Sequence, residues 1–223
     1  MNAMSELVES DAVHGYLHRP DGDAVAALAF THGAGGNVES RLLVALADEL
    51  STRGVAVLRY TLPYRRRREA GPPQPSRAAE DREGIAAAIE ALRSLVPNCP
   101  ILAGGQSYGG RQTSMLLAEN TSLVDGLVLT SYPLHPPGKP EKLRTEHLPQ
   151  LIVPTIIVHG SKDTFATTGE ITAACALIPA STTLVEIDKG RHDLSPDKFA
   201  VVTPTADAVE QLIMQVTANR GNR

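Results

Sequence analysis

The sequence predicts an α/β fold built on a mostly parallel, doubly wound sheet with helices on both faces. Apolar runs of strand length alternate along the chain with segments of helical period. The strand-like runs are apolar throughout, which is typical of strands buried on both faces. The 223 residues contain no internal repeat and no linker long enough to separate domains, so we expect residues 1–223 to form a single domain.

The first unit of strand, loop and helix begins at "AVAALAFTHGAGG", a short apolar run that ends in a glycine-rich loop. Its helix lies in "ESRLLVALADELSTRG", where apolar residues recur at helical spacing from Leu43 to Leu50 and Gly54 ends the helix. Upstream, "VHGYLHRP" predicts an edge strand or hairpin. The second unit is the strand "VAVLRYTLPY" and the helix "SRAAEDREGIAAAIEALRSLV", for which Ser76 is a candidate N-cap.

The third unit joins the strand "PILAGGQS" to the short helix "YGGRQTSMLLAEN". Two further strands follow in "VDGLVLTSYP" and "PTIIVHGSKDTF", then a helix in "TGEITAACALI", a last strand and loop in "TTLVEIDKGRHD" and an amphipathic helix in "TPTADAVEQLIMQVTA". Residues 64–77 and 133–150 are rich in proline and charge, which predicts surface excursions. Ligands of such sheets bind beyond the carboxyl ends of the strands.

The composition argues against several classes of binding protein. The formal net charge is −4 and aromatic residues make up 4% of the chain without any tryptophan, so neither nucleic acid nor a membrane is an expected partner. No apolar run reaches the roughly 20 residues of a spanning helix, and the first residues lack a secretory signal, which predicts a cytoplasmic protein. The two cysteines, Cys99 and Cys175, have neither metal nor disulfide spacing.

The stretch "AGGQSYGG" at 103–110 contains a complete GxSxG motif between a predicted strand and a predicted helix. In that context the motif places a serine on a strained turn, and the glycines Gly105 and Gly109 leave room for it. Ser107 is therefore the candidate nucleophile. The following helix directs its N-terminus at the reacting centre, so the backbone N–H of Tyr108 is a candidate donor to an oxyanion.

A serine hydroxyl needs a base, and in this context the acid and then the histidine follow the serine along the chain. Four histidines follow Ser107. His135 and His147 fall in the second surface excursion, and His159 begins a turn where a core role is expected. His192 lies in the loop after the last strand, at the carboxyl edge of the sheet, and is the predicted base, with a solvated surface histidine as the alternative.

Asp163 ends the fifth predicted strand with a turn, which places its carboxylate at the same edge of the sheet as Ser107. Asp125 precedes its strand and belongs to the opposite edge, while Asp188 and Asp193 crowd the histidine along its own loop. Asp163 is therefore the predicted acid. The alternative is that it only caps the next turn or helix.

The loop "THGAGGN" after the first long strand can supply a second oxyanion donor, by position the N–H of Ala34, with His32 and Gly33 shaping the turn. A dinucleotide fingerprint starting at Gly33 would require glycine where Val38 stands, and no phosphate-binding GxxxxGK[ST] motif occurs. His, Cys, Asp and Glu show no metal-ligand spacing. We therefore expect neither a cofactor nor a metal.

Four consecutive arginines, Arg65, Arg66, Arg67 and Arg68, follow Arg59 in the first surface excursion. Such a run is typical of a solvated or salt-bridged segment. The alternative is an anion-binding patch for a substrate that carries a carboxylate or phosphate.

With "THGAGG", "GGQSYGG", "HGSKDTF" and "GRHDL" in this order, the sequence resembles the α/β-hydrolase superfamily over nearly its whole length. The motifs "RY..PY..RRR", "GG.S.GGR" and "YP.HPPGKPEKLRTEHL" resemble a small lidless branch, akin to dienelactone hydrolases and to the hydrolase-like domain of certain testis-expressed and nonspecific-lethal chromatin-complex subunits. The resemblance implies an α/β-hydrolase fold without a large lid, with Ser107 as nucleophile, Asp163 as acid and His192 as base. Dienelactone hydrolases proper have cysteine in place of Ser107, and Arg191 stands where the branch often has an acid.

Together, these features predict a serine hydrolase that acts on a small ester, thioester or related acyl substrate through an acyl-enzyme. A catalytically silent interaction module with the same fold is one alternative, and an acyltransferase that uses the same site is another. The expected partner is a small-molecule acyl substrate. The oligomeric state is not readable from the sequence.

Overall fold

An eight-stranded sheet runs through the computed structural model, which describes residues 5–221. The strands are β1 (Ser5–Glu9), β2 (His14–His18), β3 (Ala26–Thr31), β4 (Val55–Tyr60), β5 (Ile101–Gln106), β6 (Gly126–Thr130), β7 (Thr155–Gly160) and β8 (Thr182–Ile187). The α-helices are α1 (Arg41–Thr52), α2 (Pro63–Arg67), α3 (Ala78–Leu95), α4 (Tyr108–Glu119), α5 (Thr168–Cys175) and α6 (Val202–Gly221).

The strand order is β1-β2-β4-β3-β5-β6-β7-β8. The strands β3 to β8 are all parallel to one another. β1 and β2 form an antiparallel hairpin at one edge of the sheet, and β2 pairs antiparallel with β4. The predicted α/β class, the mostly parallel sheet and the early hairpin are therefore confirmed. Because parallel strands end at the same edge, the loops after β3, β5, β7 and β8 meet there.

Two apolar clusters cover the two faces of the sheet, and β3 contributes to both. Leu28 and Phe30 pack with apolar residues of α1 and α6 on one face, whereas Ala27 and Ala29 pack with residues of α3, α4 and α5 on the other. Every residue of β3, β4 and β7 is buried. The continuous apolar runs in the sequence thus correspond to strands covered on both sides.

The second predicted strand is shorter than expected, because β4 ends at Tyr60 and Pro63 opens the short helix α2. Proline has no N–H to donate to a sheet but fits the first position of a helix. Ser76 is not an N-cap: it lies in a 3₁₀ turn, and α3 begins at Ala78 without a side-chain cap. Acidic residues in the first turn of α3 complement the helix dipole instead.

The chain between β6 and β7 contains only one short 3₁₀ turn, Leu148–Gln150, as regular structure. The described part of the chain therefore has no large lid over the carboxyl edge of the sheet. Within residues 5–221 no helix combines the length and the apolar character needed to cross a bilayer.

Candidate active site

Ser107 occupies the sharp turn between β5 and α4, with φ 49° and ψ −114°. Positive φ is rare for a residue with a side chain, so the turn is strained. A Cβ on Gly109 would lie 2.5 Å from the carbonyl oxygen of His32, and one on Gly105 would lie 2.8 Å from that of Thr31. Only glycine allows the chain to approach so closely at these two positions.

The Ser107 Oγ lies 2.8 Å from Nε2 of His192. On the other side of the imidazole, Nδ1 of His192 lies 2.8 Å from Oδ2 of Asp163. Since a carboxylate can only accept, Nδ1 carries the proton, and Nε2 is free to accept from the serine hydroxyl. The three predicted residues, from the loops after β5, β7 and β8, thus form one continuous hydrogen-bonded chain.

Packing fixes both the histidine and the aspartate. The ring of His192 stacks on Phe165 with a centroid distance of 3.9 Å, while its side chain keeps 24% of its surface exposed. The Asp163 side chain is fully buried, and its second oxygen accepts the N–H of Phe165 at 2.8 Å. Both oxygens of the buried carboxylate therefore have donors, as a buried charge requires.

The other histidines and acids considered from the sequence have different surroundings. His135 lies 3.4 Å from Glu170, and His147 lies 2.8 Å from the Ser114 hydroxyl. His159 is fully buried, and burial lowers its pKa despite the nearby charge of Asp163. The remaining acids fit their expected positions, since Asp125 accepts the N–H of Ile101 at the opposite edge of the sheet, and Asp188 and Asp193 stay on the β8 loop.

The loop that carries Ala34 approaches Ser107 closely, because a Cβ on Gly33 would lie 3.3 Å from the serine Cβ. Three of its carbonyl groups accept hydrogen bonds from side chains of α2. The Tyr64 hydroxyl donates to the carbonyls of Gly33 and Ala34, both at 3.1 Å, and Arg65 donates to the carbonyl of Ala34 at 2.9 Å. Nε of Arg65 also donates to the carbonyl of residue 36 at 3.0 Å. These bonds hold the backbone at Ala34 beside the serine.

The arginine run is largely tied to the protein itself. Arg66 donates to carbonyls in the turn between β1 and β2, and Arg67 pairs with Glu80. Upstream of the run, Arg59 is buried in β4, where it donates to His18 at 2.9 Å and lies 3.6 Å from a carboxylate oxygen of Glu39. Anion binding by the whole run at 65–68 stays a prediction, and two of its members, Arg67 and Arg68, line a separate cleft of about 260 Å³ with Arg77.

Asp81 is a buried acid that the sequence analysis missed. Its two oxygens accept the N–H of Tyr64 at 2.9 Å and the hydroxyl of Tyr108 at 2.7 Å. Burial, and then this bond to Asp81, raise the pKa of the Tyr108 hydroxyl above its ordinary value. The available signal was a carboxylate one helical turn before Ile85, on the apolar face of α3.

Ser107 opens into a cleft of about 640 Å³ at the carboxyl edge of the sheet. Its walls include Ala34, Tyr108, Met115, Pro133 and Phe165. Three arginines, Arg82, Arg111 and Arg144, also line it, and none of them belongs to the run at 65–68. Two of these three were present in quoted motifs, at the end of "GG.S.GGR" and within "YP.HPPGKPEKLRTEHL".

Comparison with known proteins agrees with the fold that carries these residues. A family model described as alpha/beta hydrolase domain matches residues 24–219. The dienelactone hydrolase of Anabaena variabilis is 20% identical, with a TM-score of 0.75 over 96% of this chain and 99% of that one. Est1E from Butyrivibrio proteoclasticus is 18% identical, with a TM-score of 0.71 over 96% and 99% of the two chains.

A third similar structure is XC6422 from Xanthomonas campestris, described as a member of the α/β serine hydrolases without a lid. It is 14% identical, with a TM-score of 0.67 over 96% of this chain and 95% of that one. At such identities the three structures share the fold with this chain, and the family model matches most of its length. The resemblance seen in the sequence motifs is thereby confirmed, and this chain belongs to the α/β-hydrolase domain family.

Proposed function

We propose that this chain is a serine hydrolase in which Ser107 is the nucleophile, His192 the general base and Asp163 the orienting acid. The observation that carries the proposal is the unbroken chain of two 2.8 Å hydrogen bonds from the serine hydroxyl to the buried carboxylate. A nucleophile, a base within reach and a third group that orients the base are the components that acyl transfer to serine needs.

In the proposed reaction, Nε2 of His192 takes the hydroxyl proton while Oγ of Ser107 attacks the substrate carbonyl. The backbone N–H groups of Ala34 and Tyr108 donate to the oxyanion that forms. His192 then returns the proton to the leaving alcohol or thiol as the tetrahedral intermediate collapses to an acyl-enzyme. Water, deprotonated by the same imidazole, releases the acid and restores the serine.

Asp163 supports each of these steps without exchanging a proton. Its buried carboxylate holds the proton on Nδ1 of His192 and stabilises the imidazolium that forms during attack. The N–H of Phe165 fixes the carboxylate, and the Phe165 ring fixes the imidazole plane. The imidazole of His192 and the carboxylate of Asp163 are therefore both oriented before substrate binds.

The cleft supports a small and accessible acyl substrate. The described chain has no large lid, and the Ser107 cleft has a volume of about 640 Å³. Ligand sites for small molecules have volumes of roughly 300–1,000 Å³. We therefore assign the activity to small esters, thioesters or related acyl compounds, with residues 1–223 acting as one hydrolase domain.

A fluorophosphonate probe, which reacts with activated serines, tests the proposal. Wild-type protein should be labelled, and the Ser107→Ala variant should not. Ser122→Ala is the matched control, because Ser122 is an exposed serine whose hydroxyl contacts Asn120 rather than a base. Absence of label on a folded wild-type protein would favour the silent interaction module and overturn the enzyme proposal.

A second measurement separates hydrolysis from acyl transfer. The acyl-enzyme made from a chromogenic short ester is offered water alone or water with added alcohol and thiol acceptors. A hydrolase releases the free acid in both cases. Added alcohol or thiol only diverts part of the acyl group, in proportion to its concentration. Release that requires an acceptor would identify an acyltransferase instead.

A further inference from the structure

Arg111 lies on α4 four residues after Ser107, which places it one helical turn along from the nucleophile. Its backbone N–H donates to the carbonyl of Ser107 at 2.9 Å, the bond that closes the first turn of the helix. The position of Arg111 relative to the reacting serine is therefore fixed. Its side chain is half-buried and lines the Ser107 cleft.

Arg144 reaches the same cleft from the segment between β6 and β7. One guanidinium nitrogen donates to the carbonyl of Pro133 at 3.0 Å. The backbone of Arg144 is held as well, because its N–H donates to Leu134 at 2.8 Å and its carbonyl accepts the Tyr132 hydroxyl at 2.6 Å. The backbone that carries Arg144 is thus fixed, and the other N–H groups of its guanidinium remain available as donors.

Within the part of the chain that the structure describes, neither arginine has a carboxylate partner. Across residues 5–221, no Asp or Glu oxygen lies within 4.0 Å of the guanidinium of Arg111 or Arg144, and Nε of Arg111 is buried without a hydrogen-bond acceptor. Arg82 differs, although it lines the same cleft, because it contacts Gln112 at 3.1 Å and Glu119 at 3.9 Å. The positive charges of Arg111 and Arg144 at the cleft are therefore not neutralised by a carboxylate of the described residues, so an anion on a ligand in the cleft can pair with them.

The positive charge of Arg111 contributes to lowered pKa values in two neighbouring side chains. Burial, and then the charge of Arg111, lower the pKa of Arg144. Burial, and then Arg111 again, lower the pKa of His147 to about 4, opposed by the exposed Glu146. The imidazole of His147 is therefore neutral at physiological pH, and the net charge around the two arginines is positive.

We propose that Arg111 and Arg144 bind a carboxylate on the substrate, so that the cleft selects esters or thioesters that carry a second, anionic group. This inference rests on the proposed function, since it requires Ser107 to attack the same molecule. Guanidinium groups present a planar fork of donors that matches the two oxygens of a carboxylate. The anion pairs with two guanidinium groups that have no carboxylate partner among the described residues, and the carbonyl to be attacked extends toward Ser107.

Two pairs of chromogenic esters test this assignment. In the first pair the carboxylate is on the acid side, as p-nitrophenyl hydrogen glutarate against its neutral methyl ester. In the second it is on the alcohol side, as para-(butyryloxy)benzoate against its methyl ester. The anionic member of at least one pair should have a kcat/KM about 10- to 100-fold above that of its neutral partner, as expected for charge-assisted hydrogen bonds. Added salt should weaken only that preference.

Arg111→Gln and Arg144→Gln should each remove most of that preference, with a smaller loss of turnover on the neutral ester. Arg111→Lys should retain part of it, since the charge stays but the fork is lost. Arg220→Gln is the matched control, because it removes an arginine whose partner, Asp125, lies at the opposite edge of the sheet. The neutral ester also reports whether each variant keeps a folded active site.

The outcomes separate the two proposals. If neither member of either pair is hydrolysed, the proposed hydrolase function fails. If the neutral esters are hydrolysed but the anionic ones are not preferred, the carboxylate assignment is wrong and the hydrolase stands. Equal losses on neutral and anionic esters in both glutamine variants would also overturn the assignment, because the arginines would then support the site rather than select substrate.

Discussion

The hydroxyl of Tyr108 donates a 2.7 Å hydrogen bond to the buried carboxylate of Asp81. The residue directly after the nucleophile is thereby fixed to α3, and the other oxygen of Asp81 fixes α2 through the N–H of Tyr64. One acid therefore joins the turn that carries Ser107 to the segment that supports the Ala34 loop. We therefore expect both proposed oxyanion donors to depend on this connection.

Removal of the Tyr108 hydroxyl should destabilise the protein and reduce activity. Tyr108→Phe leaves an oxygen of Asp81 without a donor, so the free energy of unfolding should fall by about 1–3 kcal/mol. Urea denaturation and kcat on a neutral ester give the two readouts. Tyr16→Phe is the control, because the Tyr16 hydroxyl makes no hydrogen bond to protein within the described residues. Equal stability of the two variants would contradict the role of the Asp81 bond.

Arg65 should support catalysis through the loop rather than through substrate charge. Arg65→Lys keeps the charge but cannot bond the carbonyls of Ala34 and Gly36 together, so kcat on a neutral ester should fall about tenfold or more. Arg66→Gln, which loses contacts to the β1–β2 turn, should have a smaller effect. A loss confined to KM for anionic esters would instead assign Arg65 to anion binding.

Stability should fall with acid because of His32. Burial is the main cause that lowers the pKa of His32 from 6.5 to about 4, with the Arg65 charge acting in the same direction. Between these pH values the unfolded chain binds more protons, so the free energy of unfolding decreases as pH falls, by up to about 3 kcal/mol. Protonation also removes the acceptor that Nε2 offers to the N–H of Leu62.

Urea midpoints measured from pH 7 down to about pH 4 check this expectation. His32→Gln retains one donor and one acceptor but does not titrate, so its stability should vary less over that range. His147, whose pKa is also lowered to about 4, contributes to the slope that remains. Identical slopes for wild type and variant would show that His32 is not the responsible group.

The glycines that flank Ser107 should tolerate substitution by alanine much less well than glycines with open space around them. Gly109→Ala places a Cβ 2.5 Å from a backbone oxygen of His32, so the variant should lose at least about 1–3 kcal/mol of stability. Gly169→Ala has open space within 4 Å and lies in α5, so it should be neutral or stabilising by about 0.5–1 kcal/mol. Thermal unfolding of both variants provides the comparison.

Most of the fold, and the meeting of Ser107, Asp163 and His192, could be predicted from sequence. Uniformly apolar runs identify strands buried on both faces, and parallel strands bring the residues after their carboxyl ends to one edge. The GxSxG motif locates the nucleophile because its glycines report a steric requirement of one turn. These signals are local, so a single chain displays them.

The supporting contacts could not be predicted in the same way. Asp81 and Arg65 contact partners 17 or more residues away, and Arg111 is distinguished by having no carboxylate partner among residues 5–221. No spacing rule encodes either property. The run at 65–68 is the most conspicuous charged segment of the sequence. The arginines that line the Ser107 cleft are instead Arg82, Arg111 and Arg144. Likewise, Ser76 matches the residue type of an N-cap, but the neighbouring Pro75 starts a 3₁₀ turn before α3.

The most direct test of the central claim is rapid acid quench of the protein with a short p-nitrophenyl ester, followed by mass spectrometry of intact protein and peptides. We expect one acyl group per chain, located on Ser107, with formation slowed about 10⁴-fold in Asp163→Asn through loss of the correct tautomer of His192. Acylation of another residue, or unchanged acylation of Ser107 in His192→Ala, would contradict it.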